Sequence, residues 1–483
     1  MRTTFKVQYE LGTTPIENIE LPVDSRDELP PVLRALQYIY ATPQLNKKVF
    51  NLLHHKIMSG VKATGRFGMS LWEILVFASI RLALDADYDR LHHIANYDSL
   101  VRSFVGIANF GENLKKYSLQ ALKDNVRLID EQTLKKIDNW VSNSAHGLLN
   151  IDKLNVKIDT YVLETNVHFP TDFNLLWDAS RKSIELVGQI YQDLQLSGWR
   201  KYKHWRNQLK RASHNAAKSC RGAGKHTDKG LKAVSEYLSL AEQLNQKLNE
   251  SIELLQVLLT AADYNFIKLY ELIYFTGHID KHIDLVRRRI IFQEVIPHDA
   301  KIFSVFEPYT EWIKKGKTRN QVELGLRIAV ATDQNGFILG YRVMQQEQDV
   351  DIAIPFAKEL LSQYAIASIS FDKWFWSPTN YAQLADLVDQ LIMPKKGKLN
   401  KIEQQREQNK TFKALRQKHA AIESAINCLE HHGLNRCPDK GLDGFRRYTA
   451  LGVLAYNLHK LGNILLAQDR KQLSKSPAYL KAA

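Results

Sequence analysis

The chain has 483 residues, with 66 Lys and Arg against 52 Asp and Glu, a formal net charge of +14. Apolar residues make up 45% and charged residues 24%, an ordinary globular balance that excludes a disordered tail protein. Cys220, Cys428 and Cys437 are too few for a disulfide scaffold, and no apolar run reaches the ~18 residues that span a bilayer. With an N-terminus, Met1-Arg2-Thr3-Thr4-Phe5-Lys6, that lacks the apolar stretch of a secretory signal, these features predict a soluble, cytoplasmic chain with no membrane partner. The excess of positive charge predicts a polyanionic partner, of which nucleic acid is the commonest.

Residues 1–30 read as irregular, broken by Pro15, Pro22, Pro30 and Pro31. From about 31 to 147 the pattern is helical. Leu71, Ile74, Leu75, Ala78 and Leu82 recur at helical spacing, and Ser118 to Trp140 repeats the amphipathic pattern. At Leu154 the period changes to two, and the β-branched run to Thr165 predicts a strand. Helical pattern returns after Asn174 and lasts to about 293. In it Val234, Leu238, Ala241, Leu248, Ile252, Leu255 and Leu259 sit near heptad spacing with Asn245, as in a helical hairpin or short coiled coil. Strands return at 321. Val322 to Val330 alternate, Asp333-Gln334-Asn335-Gly336 is a hairpin turn signal, and Phe337 to Met344 is the return strand. A helix over about 351–365, a strand over 367–371, a further helix, a short strand at 391–393 and two long helices over about 401–432 and 443–467 complete the chain.

Apart from its helical insertion, this is the order of an RNase-H-like α/β core, with parallel strands joined through helices. Asp159 lies inside the first strand, Asp372 directly follows the fourth, and Glu423 lies on a helix after the sheet. A carboxylate in a buried strand is costly unless something compensates it, and a metal is one such compensation. Two Mg²⁺, for which Mn²⁺ can substitute, would clamp a phosphodiester through hard oxygen ligands alone.

Four blocks carry a more specific signal. They are Asp159-Thr160-Tyr161-Val162-Leu163-Glu164-Thr165 with Leu175-Leu176-Trp177-Asp178; Phe306-Glu307-Pro308 with Lys315-Gly316-Lys317; Phe371-Asp372-Lys373-Trp374-Phe375-Trp376; and His419 to Leu434 around Glu423. In this order they resemble the DDE transposases of bacterial insertion sequences, most closely the ISNCY type, over most of 50–467. The resemblance implies Asp159, Asp372 and Glu423 as a catalytic, metal-binding triad. It also implies an RNase-H-like core, a helical N-terminal region that helps recognise element ends, double-stranded DNA as partner, at least a homodimer in synapsis, and action at the nucleoid. His419 stands where arginine is common in related enzymes, and Glu430 where lysine would stand. Two alternatives remain: a catalytically silent DNA-binding descendant, and a metal-dependent nuclease that cuts without joining.

Residues 199–232 carry eleven Lys and Arg against the single acid Asp228, with Trp199, Tyr202 and Trp205 interleaved. Such a run can neutralise phosphates while aromatics stack on bases. Arg200, Lys201, Lys203, Arg206, Lys210 and Arg211 are therefore candidate DNA contacts, along with Lys373, the basic loop Lys395 and Lys396, Arg416 and His419. Glu164 reads as pairing with a basic neighbour, and Asp172 as capping the helix near Asn174. Cys428, His431, His432 and Cys437 are a weak zinc signal, without a second cysteine pair. No Gly-rich phosphate loop appears, so ATP is not implied. The domains expected are a helical N-terminal domain over 1–147, a catalytic domain over 148–467 with a basic helical insertion at about 180–300, and a tail over 468–483.

Overall fold

The structure, a computed structural model, describes residues 2–5, 13–60, 67–108, 115–222, 227–314 and 322–475. Lys6, Lys225 of the basic run, the Lys315-Gly316-Lys317 motif and residues 476–483 of the expected tail lie outside the described residues. The fold is mixed α/β. It divides into two compact units, one of residues 1–166 with 325–483 and one of residues 167–324.

The first unit begins with helices α1 (Leu29–Ala41), α2 (Pro43–Met58), α3 (Leu71–Ala83), α4 (Tyr88–Tyr97), α5 (Ser99–Phe104), α6 (Leu119–Val126) and α7 (Glu131–Leu149). Strand β1 (Leu154–Thr165) follows, as its alternation predicts. The next four helices, α8 (Asp172–Asp193), α9 (Tyr202–Ser219), α10 (Asp228–Leu258) and α11 (Asn265–Val286), belong to the second unit, as does the short strand β2 (Glu311–Lys314). The chain then returns through β3 (Val322–Thr332), β4 (Ile338–Val343), α12 (Asp349–Leu361), β5 (Ile366–Phe371), α13 (Pro378–Ala385) and β6 (Gln390–Ile392). Helices α14 (Lys401–Gln408), α15 (Lys410–His419) and α16 (Ala421–Leu429), strand β7 (Arg436–Cys437) and helix α17 (Leu442–Lys475) close it.

β1 is the centre of the sheet. It pairs antiparallel with β3 on one side and parallel with β5 on the other. β4 lies antiparallel beside β3, β6 parallel beside β5, and β7 adds a two-residue parallel contact to the end of β1. The β3–β4 turn forms at Asp333-Gln334-Asn335-Gly336 as expected. Asp333 Oδ1 accepts the Asn335 and Phe337 N–H groups, and Gly336 supplies the positive φ of +78°. One sheet face buries Leu154, Val156, Ile158, Ile369 and Phe371 with Phe356 and Leu360 of α12. The alternate residues Asn155, Lys157 and Asp159 take the opposite face, onto which α16 packs through Ile422, Ala425 and Leu429.

The boundary expected at 147/148 does not coincide with a division between units. Helices α1, α3 and α7 pack directly on α17, so the N-terminal helices and the strands share one body. α1 and α17 approach so closely that a Cβ on Gly462 would lie 1.7 Å from the Pro31 carbonyl oxygen. Buried Arg81 of α3 makes a bidentate pair with Asp439 ahead of α17, at 2.7 and 3.2 Å. Residues 468–475, expected in the tail, continue α17. The single helix expected over 401–432 is broken at Asn409, whose extended backbone (φ −56°, ψ 137°) and side-chain bond to the Thr411 N–H start α15 afresh, and again at Ala420.

The second unit has its own core, in which Val187, Val234, Tyr237, Leu244, Leu248, Leu272 and Ile279 are buried together. The heptad-spaced residues of α10 are used inside this unit against α9 and α11, and Asn245 Nδ2 donates to Asp280 of α11. That is the helical hairpin. α11 is apolar on its outer side as well: Tyr264, at its start, is 81% exposed, Ile267 72% and Tyr270 61%.

Candidate active site

Strand register brings the first two acids together. Ile158 of β1 pairs in parallel with Phe371 of β5, so Asp159 and Asp372 are the next residues of adjacent strands. Asp372 caps the single 3-10 turn Lys373–Phe375, its Oδ1 accepting the Lys373 N–H at 2.7 Å. Glu423 is exposed in the first turn of α16, the helix lying on β1. A fourth carboxylate joins them. Asp349, the first residue of α12, accepts the Thr160 hydroxyl proton at Oδ1, 3.1 Å away. Sequence reasoning missed it.

Electrostatics tie the four into one cluster. Burial pushes the Asp159 carboxyl up to about 6, and the charges of Asp372, Asp349 and Glu423 add to that rise, while the Thr160 N–H bond opposes it. Burial also raises Asp349. Thr160 and Arg327 oppose that rise and Asp372 reinforces it. The donors are oxygen only, and Arg327 offsets part of their mutual repulsion at Asp349. In kind, such a set suits a hard divalent ion. Among the described residues, however, no group of three or more His, Cys, Asp or Glu side chains is drawn close enough to hold a metal ion jointly.

The cations expected around this cluster divide into two sets. Lys373 and Lys396 are exposed and flank the ring of Trp374, their Nζ atoms 5.8 and 4.0 Å from its centroid, and Trp374 is itself 53% exposed. Lys395, expected as a DNA contact, is engaged by an acid of the fold, whereas Arg416 is exposed. Lys395 Nζ binds both Glu403 oxygens at 2.8 Å, and Arg416 lies 3.5 Å from Glu407, as the break of the helix at Asn409 folds α15 back near α14. His419 is half-buried. Its Nδ1 lies 2.9 Å from Ser370 Oγ, its Nε2 is buried without a partner, and burial lowers its pKa against the charge of Asp372.

Other expectations resolve individually. Arg436 reaches Glu164 at 3.4 Å. Thr171, not Asp172, caps α8 through the Asn174 N–H, and Asp172 pairs with Arg289 at 2.6 Å. The zinc signal disperses, since Cys437 Sγ faces the Asp439 carbonyl and His432 Nδ1 the Ala83 carbonyl.

In the second unit, Arg200, Lys201, Lys203, Lys210 and Arg211 are exposed, and Arg206 lies 3.7 Å from Glu185. α9 contains no acidic residue, and Lys203, Arg206, Lys210, His214 and Lys218 form one outward stripe at helical spacing. The interleaved aromatics do not share that stripe. Trp199 is 3% exposed with its Nε1 on Ser251 Oγ at 2.9 Å, and Tyr202 and Trp205 pack against the unit's core. Burial excludes the base stacking expected from the interleaving at Trp199, while Tyr202 and Trp205 are half-buried.

No family model matches this chain, and no curated protein and no solved structure matches it. Among the described residues, no helix is long and apolar enough to cross a membrane.

Proposed function

We propose that the chain is a DDE transposase that cuts the ends of an insertion sequence and joins the freed 3′-OH to target DNA, acting on nucleoid DNA in the cytoplasm. The observation that carries this reading is that the charges of Asp372 and Glu423, from two other elements, act on Asp159 of β1, the central strand of a sheet in which β3 and β5 flank β1, β4 pairs with β3 and β6 with β5. That order, with β3 antiparallel and β5 and β6 parallel to the central strand, is the one an RNase-H-like core requires.

Asp159, Asp372 and Glu423 would hold Mg²⁺ or Mn²⁺, which when bound supplies activation of the attacking oxygen and stabilisation of the leaving one. The chain's own residues supply position and charge. Asp159 is fixed by the strand register, Asp372 by its bond to the Lys373 N–H, and Glu423 by the packing of Ile422 and Ala425 beside it. Lys373 and Lys396 around Trp374 offer two cations and an aromatic face to a DNA strand next to Asp372.

Purified protein with Mg²⁺ and DNA carrying the ends that flank its gene provides the test. Cleavage is expected from the native chain and lost, with most DNA affinity kept, in Asp159→Ala, Asp372→Ala and Glu423→Ala. Product joining separates the transposase from a nuclease. Tight binding without cleavage by the native chain would instead favour the silent DNA-binding descendant.

We further propose that synapsis uses a homodimer formed through the outer side of α11. Tyr264, Ile267, Tyr270, Ile273 and Tyr274, with Leu254, Val257 and Leu258 at the end of α10, expose on the order of 800 Å² of surface, about one partner's share of a standard interface. A helix apolar all round is normally covered. The charges of α11 beside the stripe are paired within the unit, Glu271 with Lys182 at 3.8 Å and Lys268 with Asp193 at 2.8 Å, so the stripe offers mainly apolar surface to its own copy. Sedimentation should show a dimer that Ile267→Glu with Tyr270→Glu converts to monomer; a monomeric native chain at micromolar concentration rejects the interface.

A further inference from the structure

Farther back on the sheet face that carries the carboxylates lies a cavity of about 310 Å³, between β1, β5 and the α15–α16 segment. It is lined by Asn155 and Lys157 of β1, Ser368 and Ser370 of β5, Gln334 of the hairpin turn and Lys418 of α15. These strand positions lie two to four residues before Asp159 and Asp372, about 7–13 Å along the strands. Nothing in the proposed strand-transfer chemistry uses them.

Three observations indicate what this cavity takes. The first is its charge. Lys157 is 7% exposed, and its Nζ donates to the Asp333 carbonyl oxygen at 2.7 Å, while the Asp333 carboxylate is engaged by His146 and by the turn. Lys157 and Lys418 line the cavity, and among the described residues no carboxylate does. The second is its hydrogen-bonding set. Ser368 Oγ donates to Asn155 Oδ1 at 2.7 Å, which leaves the Asn155 amide N–H₂ as a donor, and Ser370 Oγ lies 2.9 Å from His419 Nδ1 behind the wall. The third is shape. Leu415 and Ala421 form an apolar side, and the volume is at the small end of ligand pockets, roughly 300–1,000 Å³.

We propose that this cavity binds one phosphorylated nucleoside, its phosphate at Lys157, Lys418 and the Ser370 hydroxyl, and its base against Leu415 with the Asn155 amide at its edge. A free nucleotide and an unpaired nucleotide of a DNA strand share this chemistry. The inference does not depend on transposition, because binding is measured without divalent metal or cleavage.

The test uses the full chain, titrated calorimetrically with dAMP, dTMP and inorganic phosphate in EDTA, and then with a short single-stranded oligonucleotide as competitor. The nucleotides are expected to bind at least about tenfold more tightly than phosphate alone. Lys418→Gln should weaken them by at least about tenfold, and Leu415→Trp, which fills the cavity, should abolish binding while circular dichroism stays native. Competition by the oligonucleotide assigns the site to strand DNA, and its absence assigns it to free nucleotide; both support the cavity. Absence of nucleotide binding at 10 mM ligand, phosphate binding as tightly as nucleotide, or unchanged binding by both variants would each overturn the proposal.

Discussion

Thr160, one residue beyond Asp159, donates a hydrogen bond from its hydroxyl to Asp349, so two carboxylates that repel each other are held at consecutive residues of one strand. Asp349→Asn keeps the size and the acceptor oxygen but removes the charge. Under the proposed function, single-turnover cleavage should fall by about 10–100-fold, the range for residues that orient metal ligands, with DNA affinity unchanged. Unchanged cleavage would exclude Asp349 from the site. The difference in legibility between these residues has a physical cause. Asp159 is conspicuous because a strand of alternating apolar residues has no local use for an acid. Asp349 is hidden because an acid in the first turn of a helix already has one, in the helix dipole and cap, and only the return of α12 beside β1 gives it another. Trp199 and Trp205 differ for the opposite reason. They alternate with basic residues along the chain, whereas the 3.6-residue turn of α9 separates Trp205 from the cations and turns it towards the core with Leu209.

At the level of elements, Asn457 joins three of them. Its Oδ1 accepts the Ile338 N–H of β4, and its Nδ2 donates to the Ile338 carbonyl and to Asp138 and Ser142 of α7. Asp138 is buried in this junction, and burial pushes its pKa from 3.8 up to about 7, opposed by the bond from Asn457. The folded state therefore holds this proton more tightly than the unfolded chain. The stability it contributes is complete below about pH 4, falls as pH rises towards 7 and is lost above that. Asp138→Asn preserves an acceptor for Asn457 and carries no charge, so it should gain about 4 kcal/mol over the native chain at pH 8 and little at pH 4, read from denaturation midpoints at both. An equal difference at the two pH values would mean that Asp138 stays ionised in the fold. The elements themselves were largely readable: β1 from its period, the β3–β4 hairpin from its turn, α10 from its heptads. The three helices of 401–429 were read as one because their apolar spacing runs on, and the capping at Asn409 that breaks them needs only one side-chain bond.

For the whole molecule, the net charge of +14 is unevenly used. The stripe of Lys203, Arg206, Lys210 and Lys218 on α9 meets no acid on its own helix. If it contacts DNA phosphates, replacing Lys203, Lys210 and Lys218 by Gln should reduce the slope of log affinity against log salt by roughly 2–3, measured by anisotropy between 50 and 200 mM KCl. An unchanged slope would remove α9 from the DNA path. The insertion was legible as a change of period, but its edges were not, because contacts rather than periods define them: the second unit runs from 167 to 324. The register pair Glu164↔Gly325 brings together two residues about 160 apart in the chain, with the whole second unit between them. A ribosome adding ~5–20 residues per second therefore leaves β1 without its β3 partner for roughly 8–30 s, and without β5 for longer. During that interval its β-branched edges are open to any other nascent strand. Early closure of the second unit's own core would shorten the reach that β3 has to cover, so the insertion would act during synthesis as a tether for the sheet it interrupts.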